Sequence, residues 1–334
     1  MRLELNDTQC RAVGAIAARL PCEAGHFLPP PPAGVAVDDD TEALFWMVAT
    51  GICQQTRTLD GTIAGRRLRG SDYLISALRQ HLGAHLDRWS AKALTTWTVD
   101  ELRGSVSDAG DPSTSTLDRE KERLRLLQSI GLHIAREWGG KAMLLFTGSN
   151  RRVESLLARL APMEAYSDPV AKKSLLLLNF LNELGLWPLA DRESLDVAVD
   201  YHIMRVAMRI GLVEIKDELL RRRLVDGGEV DAATDNALRL AVRDACRRVL
   251  KVTPGLASFH LDNLLWMIGR NCCFYEHPPV CTKPGQCWKR DTCSLLGVFP
   301  HDCGLSCPME SICLGAKSEA HRALRETNID THFY

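Results

Sequence analysis

Eight of the chain's twelve cysteines fall between residues 272 and 313, as Cys272, Cys273, Cys281, Cys287, Cys293, Cys303, Cys307 and Cys313; the 271 residues before them hold only four. A segment so dense in thiols, and without regular apolar periodicity, buries too little to order itself, so covalent bridges or a metal must organise it. Redox compartment decides between the two. The opening stretch "MRLELNDTQCRAVGAIAARL" lacks a basic-then-apolar leader with a small-residue cleavage site, so a cytoplasmic protein is expected. Thiols there stay reduced, and clustered ones bind metal more often than they pair as disulfides.

Ahead of this segment the chain reads as helical. "TEALFWMVATGICQQTRTLDGTI", "DYLISALRQHL" and "RVESLLARLA" carry apolar residues at helical spacing, whereas strand-like alternation is scarce. Breakers punctuate the chain at "LPPPPAG" (28–34), "SDAGDPSTST" (107–116) and "VTPG" (252–255). A length of 334 residues allows about two domains. No run approaches the roughly 20 apolar residues of a membrane span, so no membrane partner is expected. The net charge of −1 neither requires nor excludes nucleic acid; basic runs such as "AGRRLRG", "NRRVE" and "RDACRRVLK" could supply local phosphate contacts.

Two helices carry candidate chemistry. In "YSDPVAKKSLLLLNFLNELG", Asp168 can cap, Pro169 suits the first helical position and Gly185 can close the end. The run Leu175–Leu178 makes this helix apolar on most sides, placing Lys172 and Lys173 in the early turns of a buried helix. Such a lysine either has its pKa lowered by burial, as an amine nucleophile requires, or snorkels to solvent. In "SLDVAVDYHIMRVAMRIG", Asp200 precedes a helix expected from Tyr201 to a stop at Gly211. An aspartate there caps backbone N–H groups and stays ionised at the positive end of the helix dipole. Asp196 and His202 read as a solvated turn and a helix surface.

These segments, in this order, resemble the helix-hairpin-helix DNA glycosylase superfamily, and within it the iron–sulfur branch of endonuclease III and the adenine-mismatch glycosylases. "MVATGICQQT" is similar to that branch's early helix, and "AKALTTWTVDELRGSVSDAG" with "KERLRLLQSIGLHIAREWGG" to its barrel helices. "VAVDYHIMRVAMRIGLV" is similar to the Val-Asp-x-His-x-x-Arg-Val segment that carries the catalytic aspartate, and "HLDNLLWMIGRNCC" to the helix delivering the first cluster cysteine. The resemblance implies an all-α, two-lobed helix-hairpin-helix glycosylase-like fold with a C-terminal cysteine-rich metal-binding loop. A barrel lobe would span 38–185, a second lobe 1–37 plus 186–270, and the metal-bearing tail 271–334. The cleft between the lobes would hold the catalytic residues.

By the same resemblance, Asp200 would stabilise positive charge developing on the deoxyribose or activate the attacking nucleophile. Lys173 falls where bifunctional members place the lysine that forms a Schiff base, with Lys172 beside it as a DNA contact. Gln55 falls near the residue that fills the gap left by a flipped nucleotide. A base inside a duplex must be extruded before its glycosidic bond can be attacked, and an electron-deficient sugar needs a pre-placed anion. The family's hairpin holds a DNA phosphate on a Gly-x-Gly turn; here the corresponding "EAYSDPVAKKS" contains no glycine. The interval from Lys173 to Asp200 is also longer than in endonuclease III.

The branch spaces its ligands C-x6-C-x2-C-x5-C. This chain keeps Cys307-x5-Cys313, preceded by Cys303-x3-Cys307, with a long insertion after Cys273. The resemblance implies Cys273, Cys303, Cys307 and Cys313 as ligands of a [4Fe-4S] cluster, with Cys293 the substitute for Cys273. Zinc is the alternative, since tetrahedral thiolate sites accept it. Cys281, Cys287 and Cys293 with His277 could form a second metal site. Four closed thiolate ligands leave no open position, so a structural metal is expected. The implied activity is excision of a damaged or modified base from DNA, with AP lyase activity if Lys173 reacts, and no obligate protein partner. Two other readings remain: a divergent member acting on hypermodified bases by pyrophosphorylase-like or phage-related chemistry, and a non-catalytic, metal-stabilised nucleic-acid-binding protein.

Overall fold

A computed structural model describes residues 2–22, 29, 34–274, 278–283, 285–289 and 293–334. Most of the proline run and His277 lie outside these. The chain is predominantly helical, and strand among the described residues is confined to two short antiparallel pairs. No helix among the described residues is long and apolar enough to cross a membrane. Two compact units emerge, one of Met1–His26 with Asp196–Asp330, the other of Phe27–Leu195 with Thr331–Tyr334.

The 27–195 unit is built on the helix Asp39–Gly51, whose start is set by Asp38 accepting from the Thr41 N–H at 2.7 Å. Phe45, Trp46, Met47 and Val48 on it are fully buried. Glu42 receives both guanidinium nitrogens of Arg79, at 2.6 and 2.7 Å, and the Trp46 indole N–H, so this buried charge is paired and hydrogen-bonded. The helical spacing read through "TRTLDGTI" does not continue as helix. The helix stops at Gly51, and Asp60–Ile63 pairs with Arg66–Arg69 as an antiparallel hairpin. The cause is the turn: Ala64 and Gly65 are both left-handed, with φ of 50° and 75°, the geometry of a two-residue hairpin loop. Helices Gly70–Ala84, Val99–Ser105 and Glu120–Glu137 complete one side, the second opened by a capping box between Thr98 and Glu101.

In the 196–330 unit the helix Tyr201–Ile210 packs against Ser258–Asn271 so closely that a Cβ on Gly269 would meet the Cβ of His202 at 2.8 Å. Ala232–Val252 packs on the helix Asp7–Ala17, and Leu3–Leu5 pairs antiparallel with Val213–Ile215. The cysteine-bearing segment is not a separate body. It groups with 196–270 because Arg209 Nε donates to the Leu324 carbonyl, Arg205 pairs with Glu326, and Gln9 donates to the Ile312 carbonyl. The break between the units falls at 195/196 rather than 185/186, and residues 331–334 belong with the 27–195 unit.

Candidate functional site

Asp200 is the N-cap of the helix Tyr201–Ile210: its Oδ1 accepts from the Ile203 N–H at 2.9 Å, and only 4% of the residue is exposed. The helix ends at Gly211, whose φ of 92° gives the left-handed C-cap expected of glycine. Its interior is strongly amphipathic yet almost wholly buried, with both arginines below 5% exposure. Those arginines anchor the chain around Cys273. Arg205 Nε donates to the Cys273 carbonyl at 2.8 Å and its Nη2 to the Gly269 carbonyl at 2.9 Å. Arg209 Nη1 donates to the Phe274 carbonyl and lies 3.4 Å from Cys273 Sγ. His202 is not a free surface ring, since Arg205 Nη2 lies 2.9 Å from its Nδ1. Nor is Asp196 a solvated turn: Arg247 grips it at 2.6 Å.

The far end of the same helix contributes Val206, Arg209 and Ile210 to the wall of a small, partly open pocket. Five thiols also line it: Cys272, Cys273, Cys281, Cys307 and Cys313. All twelve cysteines are free thiols, so the segment is not stapled by disulfides. Of the four ligands implied by resemblance, the structure brings together Cys273, Cys307 and Cys313. Cys303 does not line the cavity; its sulfur turns back toward the Ser306 carbonyl at 3.7 Å. Cys293 is outside the pocket as well, whereas Cys281 from the insertion lines it.

Burial and neighbouring sulfurs raise the pKa of three of these thiols. The Cys307 thiol is held well above its usual value, first by its hydrogen bond with Cys272 and then by burial. Burial pushes Cys281 up to about 12 and Cys313 to about 11, with neighbouring cysteines adding to both. Crowded thiols in an apolar wall can become thiolates only if a cation enters among them, and binding then releases protons. The donor set, sulfur with Met309, Ile268 and Pro279 behind it, fits a thiophilic metal group. No three or more His, Cys, Asp or Glu side chains among the described residues are arranged to hold a metal ion as they stand.

In the other unit, Lys172 and Lys173 open the helix Lys172–Glu183, later than the Asp168–Pro169 start expected from sequence. Pro169 lies in the preceding turn. Ala171 is left-handed, with φ of 56°, and the Asp168 carboxylate accepts from the N–H groups of Val170 and Lys172 at 3.0 and 2.8 Å. Neither lysine reaches free solvent: Lys172 is 8% exposed and Lys173 fully buried. Lys173 Nζ donates to the Gly51 carbonyl at 2.5 Å and to Gln54 Oε1 at 3.2 Å. Burial lowers its pKa from 10.5 to about 7. Gln55 has a left-handed backbone, with φ of 42°, and its Nε2 donates to the Thr331 carbonyl at 3.2 Å.

Sequence reasoning singled out neither Gln54 nor Cys272, and it assigned Cys281 to a second site with Cys287, Cys293 and His277, whereas Cys281 lines the same pocket as Cys273, Cys307 and Cys313. Gln54 stood in the quoted Gln-Gln-Thr stretch, where its neighbour drew the attention. No family model matches the chain, and no curated protein matches it.

Proposed function

We propose that the protein cleaves the N-glycosidic bond of a damaged or modified base in DNA, on a helix-hairpin-helix glycosylase-like scaffold with a thiolate-held metal group. One observation carries this reading: Asp200 heads a buried helix whose other end is built into the wall of the thiol-lined cavity. The carboxylate is held by the Ile203 N–H and the helix dipole, both of which favour its ionised form. A fixed anion, nine-tenths or more buried, is what an electron-deficient sugar needs as the base departs.

Cys273, Cys281, Cys307 and Cys313 would hold the metal group, with Cys272 as a fifth thiol beside Cys307. When bound it would cross-link the stretches around Cys273, Cys281, Cys307 and Cys313 to one another, beside the Tyr201–Ile210 helix that already holds the Cys273 and Phe274 carbonyls through its arginines. A [4Fe-4S] cluster takes one thiolate per iron, whereas a single zinc requires its ligands to converge on one point. Lys173 carries the lyase step: with its pKa near 7, a large fraction is the free amine at neutral pH.

A second reading, action on hypermodified bases with altered docking, is favoured at the hairpin. The Asp168 carboxylate takes the Val170 and Lys172 N–H groups that a phosphate would otherwise use. An internal anion there replaces an external one.

The test begins with anaerobic purification and iron, sulfide and zinc analysis. DNA panels carrying damaged, modified and hypermodified bases are then incubated with wild type and Asp200→Asn, and released bases are identified by mass spectrometry. Asparagine caps a helix as well as aspartate, so the variant should fold and bind DNA while releasing nothing. Tight DNA binding without base release from any panel would leave the non-catalytic reading standing instead.

A further inference from the structure

Lys173 is fully buried within its own unit, and a stretch of chain remote in sequence is hydrogen-bonded to Gln55, next to its acceptor Gln54. Residues 331–334 group with 27–195, although the 135 residues before them, Asp196–Asp330, do not. They carry neither helix nor strand. Gln55 Nε2 donates to the Thr331 carbonyl at 3.2 Å, and the Tyr334 side chain is sunk to 4% exposure. Between these anchors lies His332. Its ring has Glu164 backbone as a hydrogen-bond partner, and its buried Nε2 has none among the described residues. After burial, the Lys173 charge is the strongest influence on that ring. Gln55 is also adjacent to Gln54, which accepts from Lys173 Nζ.

We infer that residues Thr331–Tyr334 form a removable closure over the Lys173 amine, held shut by the Gln55–Thr331 hydrogen bond and the buried Tyr334 ring. A segment without regular backbone pairing, holding an imidazole nitrogen that no group satisfies, belongs to the low-stability end of a structure, where opening is local. In the closed form a substrate carbon cannot reach Nζ, because the residue has no exposed surface. In the open form Nζ keeps its Gly51 and Gln54 acceptors and gains a solvent-facing side. The closure deepens the reading of Lys173 as a nucleophile, but its test does not depend on that reading.

Formaldehyde with cyanoborohydride probes the amine directly. The neutral Nζ adds to the aldehyde carbon, water leaves to give an iminium ion, and hydride from the borohydride reduces it to the methylamine. Full-length wild type, Tyr334→Ala and His332→Gln are labelled at pH 7.5 without DNA, and each lysine is read by peptide mass spectrometry. The expected result is slow methylation of Lys173 in wild type and about tenfold or faster methylation in Tyr334→Ala, because labelling tracks the open population. His332→Gln should show a smaller rise, and the exposed lysines should be unchanged in both. Lys173 labelling as slow in Tyr334→Ala as in wild type would overturn the closure. So would a rise at every lysine with a matching drop in unfolding midpoint, since residues 331–334 would then be an ordinary part of the core. If Lys173 is uncovered as expected but wild type traps no adduct with abasic DNA under borohydride, the closure stands and the lyase role of Lys173 falls.

Discussion

Replacing Lys173 by methionine should stabilise the 27–195 unit, and by an amount that depends on pH. The side chain is fully buried, and its pKa is lowered from 10.5 to about 7, chiefly by burial. At pH 7.5 the unfolded chain holds the proton and the folded chain mostly does not, so the unfolded state binds more protons. Stability therefore rises with pH between the two values. The penalty is fully present below about 7 and is gone above 10.5. The gap corresponds to about 5 kcal/mol at the low end, at about 1.4 kcal/mol per pH unit. The hydrogen bonds to the Gly51 carbonyl and Gln54 Oε1 offset roughly 1 kcal/mol each, and methionine matches the length and fills the same channel. Lys173→Met should thus gain about 2–3 kcal/mol at pH 7.5, with the gain shrinking by about 1.4 kcal/mol for each unit toward pH 9.5. Urea unfolding of both proteins at pH 7.5, 8.5 and 9.5, read from tryptophan fluorescence, gives the difference directly, because other titrating groups cancel. Parallel stability curves, or a variant less stable at pH 7.5, would show that Lys173 is not held neutral by burial.

Two further outcomes follow from the cysteine cavity and its approach. Serine at Cys273, Cys281, Cys307 or Cys313 should cut bound metal per chain several-fold, whereas Cys303→Ser and Cys293→Ser should retain it; metal analysis after anaerobic purification decides, and loss at Cys303 with retention at Cys281 would restore the ligand set implied by family spacing. Gly211→Ala should destabilise the 196–330 unit by roughly 1–3 kcal/mol and lower metal retention, because φ is 92° there and the new Cβ would lie 2.4 Å from Cδ1 of Leu314, the neighbour of Cys313; unchanged thermal unfolding would sink this.

What could be read from sequence was what local chemistry specifies. Asp200, Tyr201 and Gly211 state a cap, a first turn and a stop within twelve residues, and the structure has each where it was expected. The Ala64–Gly65 turn was equally local, but the apolar spacing on its N-terminal side masked it. Cys281 was hidden for another reason. Its neighbours in the cavity are set by an insertion whose path depends on arginine-to-carbonyl bonds from a helix some 70 residues earlier. From local sequence Lys173 read as a snorkelling surface residue, because nothing in "AKKS" reveals that the Gly51 carbonyl and Gln54 meet its amine in a fully buried site. Length of helix and identity of caps are short-range properties; burial of a charge is not.

The arginines of the Tyr201–Ile210 helix carry a consequence for biosynthesis. Glu326 and the Leu324 carbonyl, which neutralise and satisfy them, follow by 115 residues or more. At roughly 5–20 residues per second, the ribosome leaves those guanidinium groups without these two partners for several seconds or more after the helix itself has emerged. The 27–195 segment can fold in that interval. The Asp7–Ala17 helix, made first of all, waits still longer for Ala232–Val252. Translation pauses downstream of residue 210 should therefore raise chaperone occupancy and aggregation of nascent chains selectively through the unit that bears Asp200.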